Sequence, residues 1–229
     1  MIDQPALAPM KLAGDLRQLA GRAAIRTIPC EVLCWDLDSD TLRLPNWEAQ
    51  RGYLESLART IEGVGGLSQH SRFGDNDVYQ HAVSCSLSAI ARFGSLVPLL
   101  RLVNVTVNSC SVPVDQAVLE RVVGLALELE TIEVELLRLY QSQVAATDAD
   151  GRNQGAGFAL GERSAHLGSE ALVEAAAQRL HDRGLVDVDG EPPLDFSRRY
   201  LAPRALTELG RLTISLLSRP VTADNCPAI

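Results

Sequence analysis

The sequence predicts a mainly α protein: an N-terminal helical bundle over residues 1–130, a small α+β module over 131–219 and a short tail, 220–229. Three observations carry that expectation. Apolar residues recur at helical spacing through most of the first 145 positions. One stretch, TDADGRNQGAGF (147–158), has the composition of a linker. Beyond it, residues 179–212 run from an apolar helix end through Gly184 into an alternating segment, a proline-broken polar loop, a second short segment and a new helix.

Taken in order, Met10, Leu12, Leu16, Leu19 and Ala23 mark a first helix over 10–26. DLDSDTLRLPN (36–46) reads as turns. Leu54, Leu57, Ile61 and Val64 mark a second helix, which Gly65 and Gly66 stop. Residues 66–77 read as a loop, and 77–92 as a helix with Val78, Ala82, Cys85 and Ile90 inward. The apolar run 93–107 is broken by Pro98, Arg101 and Asn104 and is too short to span a bilayer, so it reads as a buried helix. Pro113 and Asp115 open the next helix, and Thr131 is placed to cap the one after it. The helix over 114–129 is apolar nearly all round, and part of its cover is expected from a second copy of the chain.

Net charge is −8, and it is uneven. Residues 1–150 hold 12 basic and 19 acidic side chains, whereas 151–219 hold nine of each. A general polyanion binder is excluded by that balance. Five cysteines (Cys30, Cys34, Cys85, Cys110, Cys226) are an odd, widely spaced set, and no signal-peptide pattern opens the chain. The expectation is a cytoplasmic protein with free thiols, no membrane span, no cofactor and no metal.

In the module, Ser169 is placed to cap a helix whose inner face is Leu172, Val173, Ala176, Ala177 and Leu180, and Gly184 ends it. LVDVDG (185–190) and RRYLAPRA (198–205) read as two strands around the loop EPPLDFS (191–197), and Thr207 can cap a last helix. The phrases RLHDRGLVDV and ALTELGRL, in that order and spacing, resemble the winged helix-turn-helix family, in particular its MarR-like members. The layout of a helical N-terminus before such a module is also similar to the phage abortive-infection alpha family. The first resemblance implies a winged-helix fold over about 131–219, a recognition helix between Ser169 and Gly184 and a wing between the strands.

On that helix the outer face holds Ala171, Glu174, Ala175, Gln178 and Asp182: two carboxylates, no cation and one amide able to read a base. Arg198 and Arg199 at the wing's end, with Arg179 and Arg183 on the helix flank, are the candidate phosphate contacts. Carboxylates facing phosphate are repulsive, so DNA is disfavoured by charge.

Other constellations fail on their own chemistry. Asp36, Asp38 and Asp40 begin like a calcium loop, but Thr41 and Trp47 stand where glycine and glutamate are needed. CEVLC (30–34) lacks a second cysteine pair for zinc. GAGFALG (155–161) has its third glycine one residue late for a dinucleotide fingerprint. His70, Asp75, Asp77 and His81 form a polar loop without a catalytic signature. The expected function is therefore non-enzymatic: an interaction subunit or adaptor in a multi-component defence or regulatory system, partnered by another protein or by itself. The alternative is a dimeric, ligand-responsive DNA-binding regulator.

Overall fold

Helical periodicity is realised along most of the chain. The computed structural model describes residues 14–36, 40–65, 70–150, 165–188 and 204–220, and these are mainly helical. Two units result among the described residues: those up to Leu127 together with 216–220, and those between 128 and 215. The boundary thus falls three residues before the one read from the sequence, and the end of the last helix groups with the first unit. The glycine stretch 155–161, the wing with Arg198 and Arg199, Asp38 and residues 221–229 with Cys226 lie outside the described residues.

In the first unit, α1 (Gly14–Arg22) buries Leu16, Leu19 and Ala20. It ends in a six-residue turn: the Ile25 N–H donates to the Ala20 carbonyl and the Ala24 N–H to that of Gly21. Such a turn needs one left-handed residue, usually glycine, and Ala24 supplies it at φ +52°. The chain beyond is held by α4 (Asp77–Phe93). The Tyr79 hydroxyl donates to the Ala23 carbonyl, and Gln80 Nε2 donates to that of Ala24 at 2.8 Å. A short antiparallel pair, β1 (Cys34–Asp36) and β2 (Thr41–Arg43), occupies the stretch read as turns. Cys30 stands in a 3-10 turn and Cys34 in β1, so the two do not share a helix face.

The centre of this unit is polar as well as apolar. From α2 (Trp47–Gly65), the Tyr53 hydroxyl meets Thr106 Oγ1 of α5 (Leu99–Asn108) at 2.8 Å. Ser86 Oγ of α4 lies 3.3 Å from the same oxygen. Thr106 gives its own proton to the Leu102 carbonyl, so it must accept from both neighbours. All three side chains are buried, and burial pushes the Tyr53 hydroxyl up to about 12. Asn46 ties the start of α2 to the end of α4 by donating to the Ile90 and Ala91 carbonyls.

A short helix, α3 (His70–Gly74), forms where a loop was expected. The apolar run 93–107 is a helix only from Leu99, and it leaves Leu96 89% and Leu100 72% exposed. α6 (Gln116–Glu128) is capped by Asp115, whose carboxylate accepts the Val118 N–H at 2.8 Å. Leu119, Val122, Val123, Leu125 and Ala126 of that helix are buried within the chain itself, while Val114, Val118 and Leu127 are half-buried.

In the second unit, α7 (Thr131–Asp150) packs against α8 (Glu170–Asp182) and against β4 (Arg204–Leu206). The helix continues through the first four residues read as linker. β3 (Val186–Val188) pairs antiparallel with β4, Val186 opposite Leu206. The last helix, α9 (Glu208–Leu217), begins at a three-way junction. The Thr207 N–H donates to the Leu185 carbonyl, its hydroxyl donates to the Gly184 carbonyl at 2.7 Å, and the same oxygen accepts the Gly210 N–H at 3.0 Å. Gly210 lies so close that a Cβ there would stand 2.0 Å from the Leu185 carbonyl oxygen. The separated phrases RGLV and LTELG are therefore the two halves of one contact. At its far end, the Leu216, Leu217 and Ser218 carbonyls are satisfied by Asn104 and Asn108 of α5.

Alanine normally stabilises a helix relative to glycine by about 1 kcal/mol, but Gly210→Ala is expected to destabilise the fold by about 3 kcal/mol, because the new methyl collides with backbone. Ala24→Gly is expected to act oppositely and stabilise by about 0.5–1 kcal/mol, since it removes the left-handed strain of alanine. Urea denaturation of the two variants against the wild type checks both signs.

Candidate functional site

The sequence-predicted face lies on α8, whose local construction is plain. Ser169 occupies the N-cap position in extended backbone, although its hydroxyl makes no capping bond. Val173, Ala176, Ala177 and Leu180 are buried. The helix ends in the same six-residue turn as α1: Leu185 N–H to the Leu180 carbonyl, Gly184 N–H to that of His181, with Gly184 at φ +70°.

Beneath the helix flank sits Glu133, a fully buried carboxylate near the start of α7. Its Oε2 accepts the Glu130 backbone N–H at 2.7 Å, closing the N-terminus of α7. Thr131, the residue expected to cap that helix, is its first residue; the position before it is Glu130. Glu133 Oε1 accepts two guanidinium hydrogens, from Arg179 Nε at 2.7 Å and from Arg183 Nη1 at 2.6 Å. Arg179 Nη2 also donates to Glu130 Oε2 at 2.8 Å, and Arg183 Nε lies 3.9 Å from Glu128 Oε2. Three carboxylates thus surround two cations, and the cluster carries net negative charge. Burial alone would raise the Glu133 pKa, but Arg179, the Glu130 N–H and Arg183 outweigh it and hold the carboxyl below its ordinary value of 4.5.

Ala171, Glu174, Ala175, Gln178 and Asp182 are all exposed, on the face read from the sequence. Gln178 Nε2 donates to Asp182 Oδ1 at 2.8 Å, so the one base-reading amide is already bonded within the helix. Leu172, assigned inward from the sequence, is 45% exposed. The reason is local: the inner face centres on Val173 and Ala176, and Leu172 leans over Gly168, where a Cβ would stand 2.9 Å from its Cδ2. Arg179 and Arg183 are brought together on Glu133. Sequence reasoning missed that residue, although E-T-I-E (130–133) has the spacing of a reciprocal helix cap.

Of the polar loop around 70–81, Asp77 and His81 take separate partners: Asp77 pairs with Arg26, and His81 with Glu120. No described helix is long and apolar enough to cross a membrane. The chain matches no family model, no curated protein and no solved structure.

Because the folded carboxyl of Glu133 titrates below 4.5, its contribution to stability is fully present above that value and is lost as pH falls through the lower folded pKa. Glu133→Gln is expected to destabilise the second unit by about 2–3 kcal/mol at neutral pH, because two arginines lose the buried anion they share. The difference from wild type should shrink steadily below pH 4.5. A gap of the same size in acid and at neutral pH would show that the carboxylate charge is not what holds the cluster.

Proposed function

We propose that residues 131–219 form a winged-helix module used for protein contact, and that the chain is a non-enzymatic interaction subunit or adaptor. The described elements support the module: α7, α8, an antiparallel strand pair and a closing helix come in an order compatible with that fold. One observation carries the functional reading. Arg179 of α8 and Arg183 just past its end are both directed to Glu133, so the helix that would enter a DNA groove offers Glu174, Asp182 and a bonded Gln178 instead of cations.

Phosphate neutralisation supplies much of the affinity of DNA readers, and this face has none to offer. What it does offer is a small apolar strip, Ala171, Leu172 and Ala175, flanked by carboxylates. Such a surface suits a protein partner with apolar side chains and a basic rim. The competing reading, a DNA-binding regulator, would have to draw its cations from outside α8.

Fluorescence anisotropy with duplex DNA near physiological salt decides between them. The expected result is binding no tighter than the non-specific range of ~10⁻⁴–10⁻⁶ M. Replacing the two carboxylates, Glu174→Gln with Asp182→Asn, is expected to raise that weak affinity by removing repulsion. Nanomolar, sequence-selective binding by the wild type would overturn the adaptor reading in favour of the regulator.

A further inference from the structure

We propose that His81, Cys85 and Glu120 form a binding site for a borderline-soft divalent transition ion, zinc foremost, in the first unit. His81 and Cys85 stand four residues apart on α4, so they occupy one helix face. Glu120 reaches them from α6. The sequence grouped His81 with His70, Asp75 and Asp77; the fold gives it different company.

Distances carry the assignment. Cys85 Sγ lies 3.5 Å from His81 Nε2, and His81 Nε2 lies 3.0 Å from Glu120 Oε1, with all three donor atoms within 4.8 Å of one another. A tetrahedral zinc with Zn–S of about 2.3 Å and Zn–N or Zn–O of about 2.0 Å has an S···N edge of about 3.5 Å and an N···O edge of about 3.3 Å. The first edge is already in place, the second needs a few tenths of an ångström, and the S···O edge, which must come to about 3.5 Å from within 4.8 Å, closes by movement of the exposed Glu120 carboxylate. Among the described residues no other trio of such side chains comes together.

The donor set is selective in kind. One thiolate, one imidazole and one carboxylate suit zinc or cobalt(II), whereas calcium and magnesium prefer oxygen alone. Cys85 and His81 are half-buried and Glu120 is exposed, so solvent reaches the site and an ion can enter. Burial, with Glu120 nearby, pushes the ion-free Cys85 thiol up to about 11. Coordination forms the S–metal bond as the thiol proton passes to solvent, and His81 binds through Nε2 as the neutral ring. Three protein ligands leave the fourth position to water, and the bound ion cross-links α4 to α6.

Cobalt(II) titration of the full-length protein tests this, because thiolate–cobalt charge transfer and tetrahedral d–d bands report both the sulfur and the geometry. Expected are both bands at one ion per chain, displaced by one equivalent of zinc. Cys85→Ser should abolish the charge-transfer band, and Glu120→Gln, at an exposed position where the fold is safe, should weaken binding tenfold or more. The double variant Cys30→Ser/Cys34→Ser should bind as the wild type does, since those exposed thiols are the competing source of sulfur. Absence of the bands in the wild type would overturn the site, as would their persistence in Cys85→Ser or their loss in the Cys30/Cys34 variant. Unchanged affinity in Glu120→Gln would equally overturn the three-ligand set.

Discussion

A carboxylate taken out of water must be given cations and hydrogen-bond donors, or it will protonate or refuse burial. Glu133 meets that requirement with three donors on its two oxygens: the N–H that opens α7 and the guanidinium groups of Arg179 in α8 and Arg183 just beyond it. The consequences spread outward. The start of α7 is fixed, the flank of α8 is fixed against it, and two of the positive charges of the C-terminal half are committed to an internal partner. The outer face of α8 is then acidic by what has been withdrawn from it as much as by Glu174 and Asp182. The stability of this unit and the contact face proposed for it both depend on one ion cluster.

Around it, backbone geometry does comparable work with uncharged groups. Gly184 turns the chain at the end of α8, Leu185 presents its carbonyl to Thr207, and Gly210 lets α9 close onto that carbonyl without a side chain in the way. Short sequence phrases shared by many helical modules owe their form to this kind of contact: a left-handed position, a cap and a close approach, each with few residue choices. The first unit has few aromatic side chains, and it places one of them, Tyr53, in a buried hydroxyl cluster with Ser86 and Thr106 that joins three helices. A satisfied polar cluster of this kind fixes helix register more narrowly than interchangeable aliphatic contacts can.

Much of this was legible in the sequence where the signal is local. The inner face of α8, the stop at Gly184, the cap at Thr207 and the helix over 77–92 all follow from spacing and from residue types with one physical use. Leu172 escaped, because a residue at the edge of an apolar stripe is turned in or out by a neighbouring glycine and not by periodicity. Leu96 and Leu100 escaped for a related reason: Pro98 resets the helix phase within a continuous apolar run. Glu133 with its arginines, and His81 with Cys85 and Glu120, are assemblies across 46, 50 and 39 residues of chain. Nothing in a one-dimensional pattern pairs them, since each member alone reads as an ordinary surface charge or a core thiol.

Glu133 holds the cations at the C-terminal end of α8, and a double-mutant cycle between Glu133→Gln and Arg183→Gln measures that hold most directly. Unfolding free energies of the wild type, both single variants and the double variant at neutral pH and low salt give the coupling. A coupling of about 1 kcal/mol or more is expected, with each single change costing more than its share of the double. Costs that add to within about 0.3–0.5 kcal/mol would contradict the account, because they would mean that the arginine is not held by the buried carboxylate.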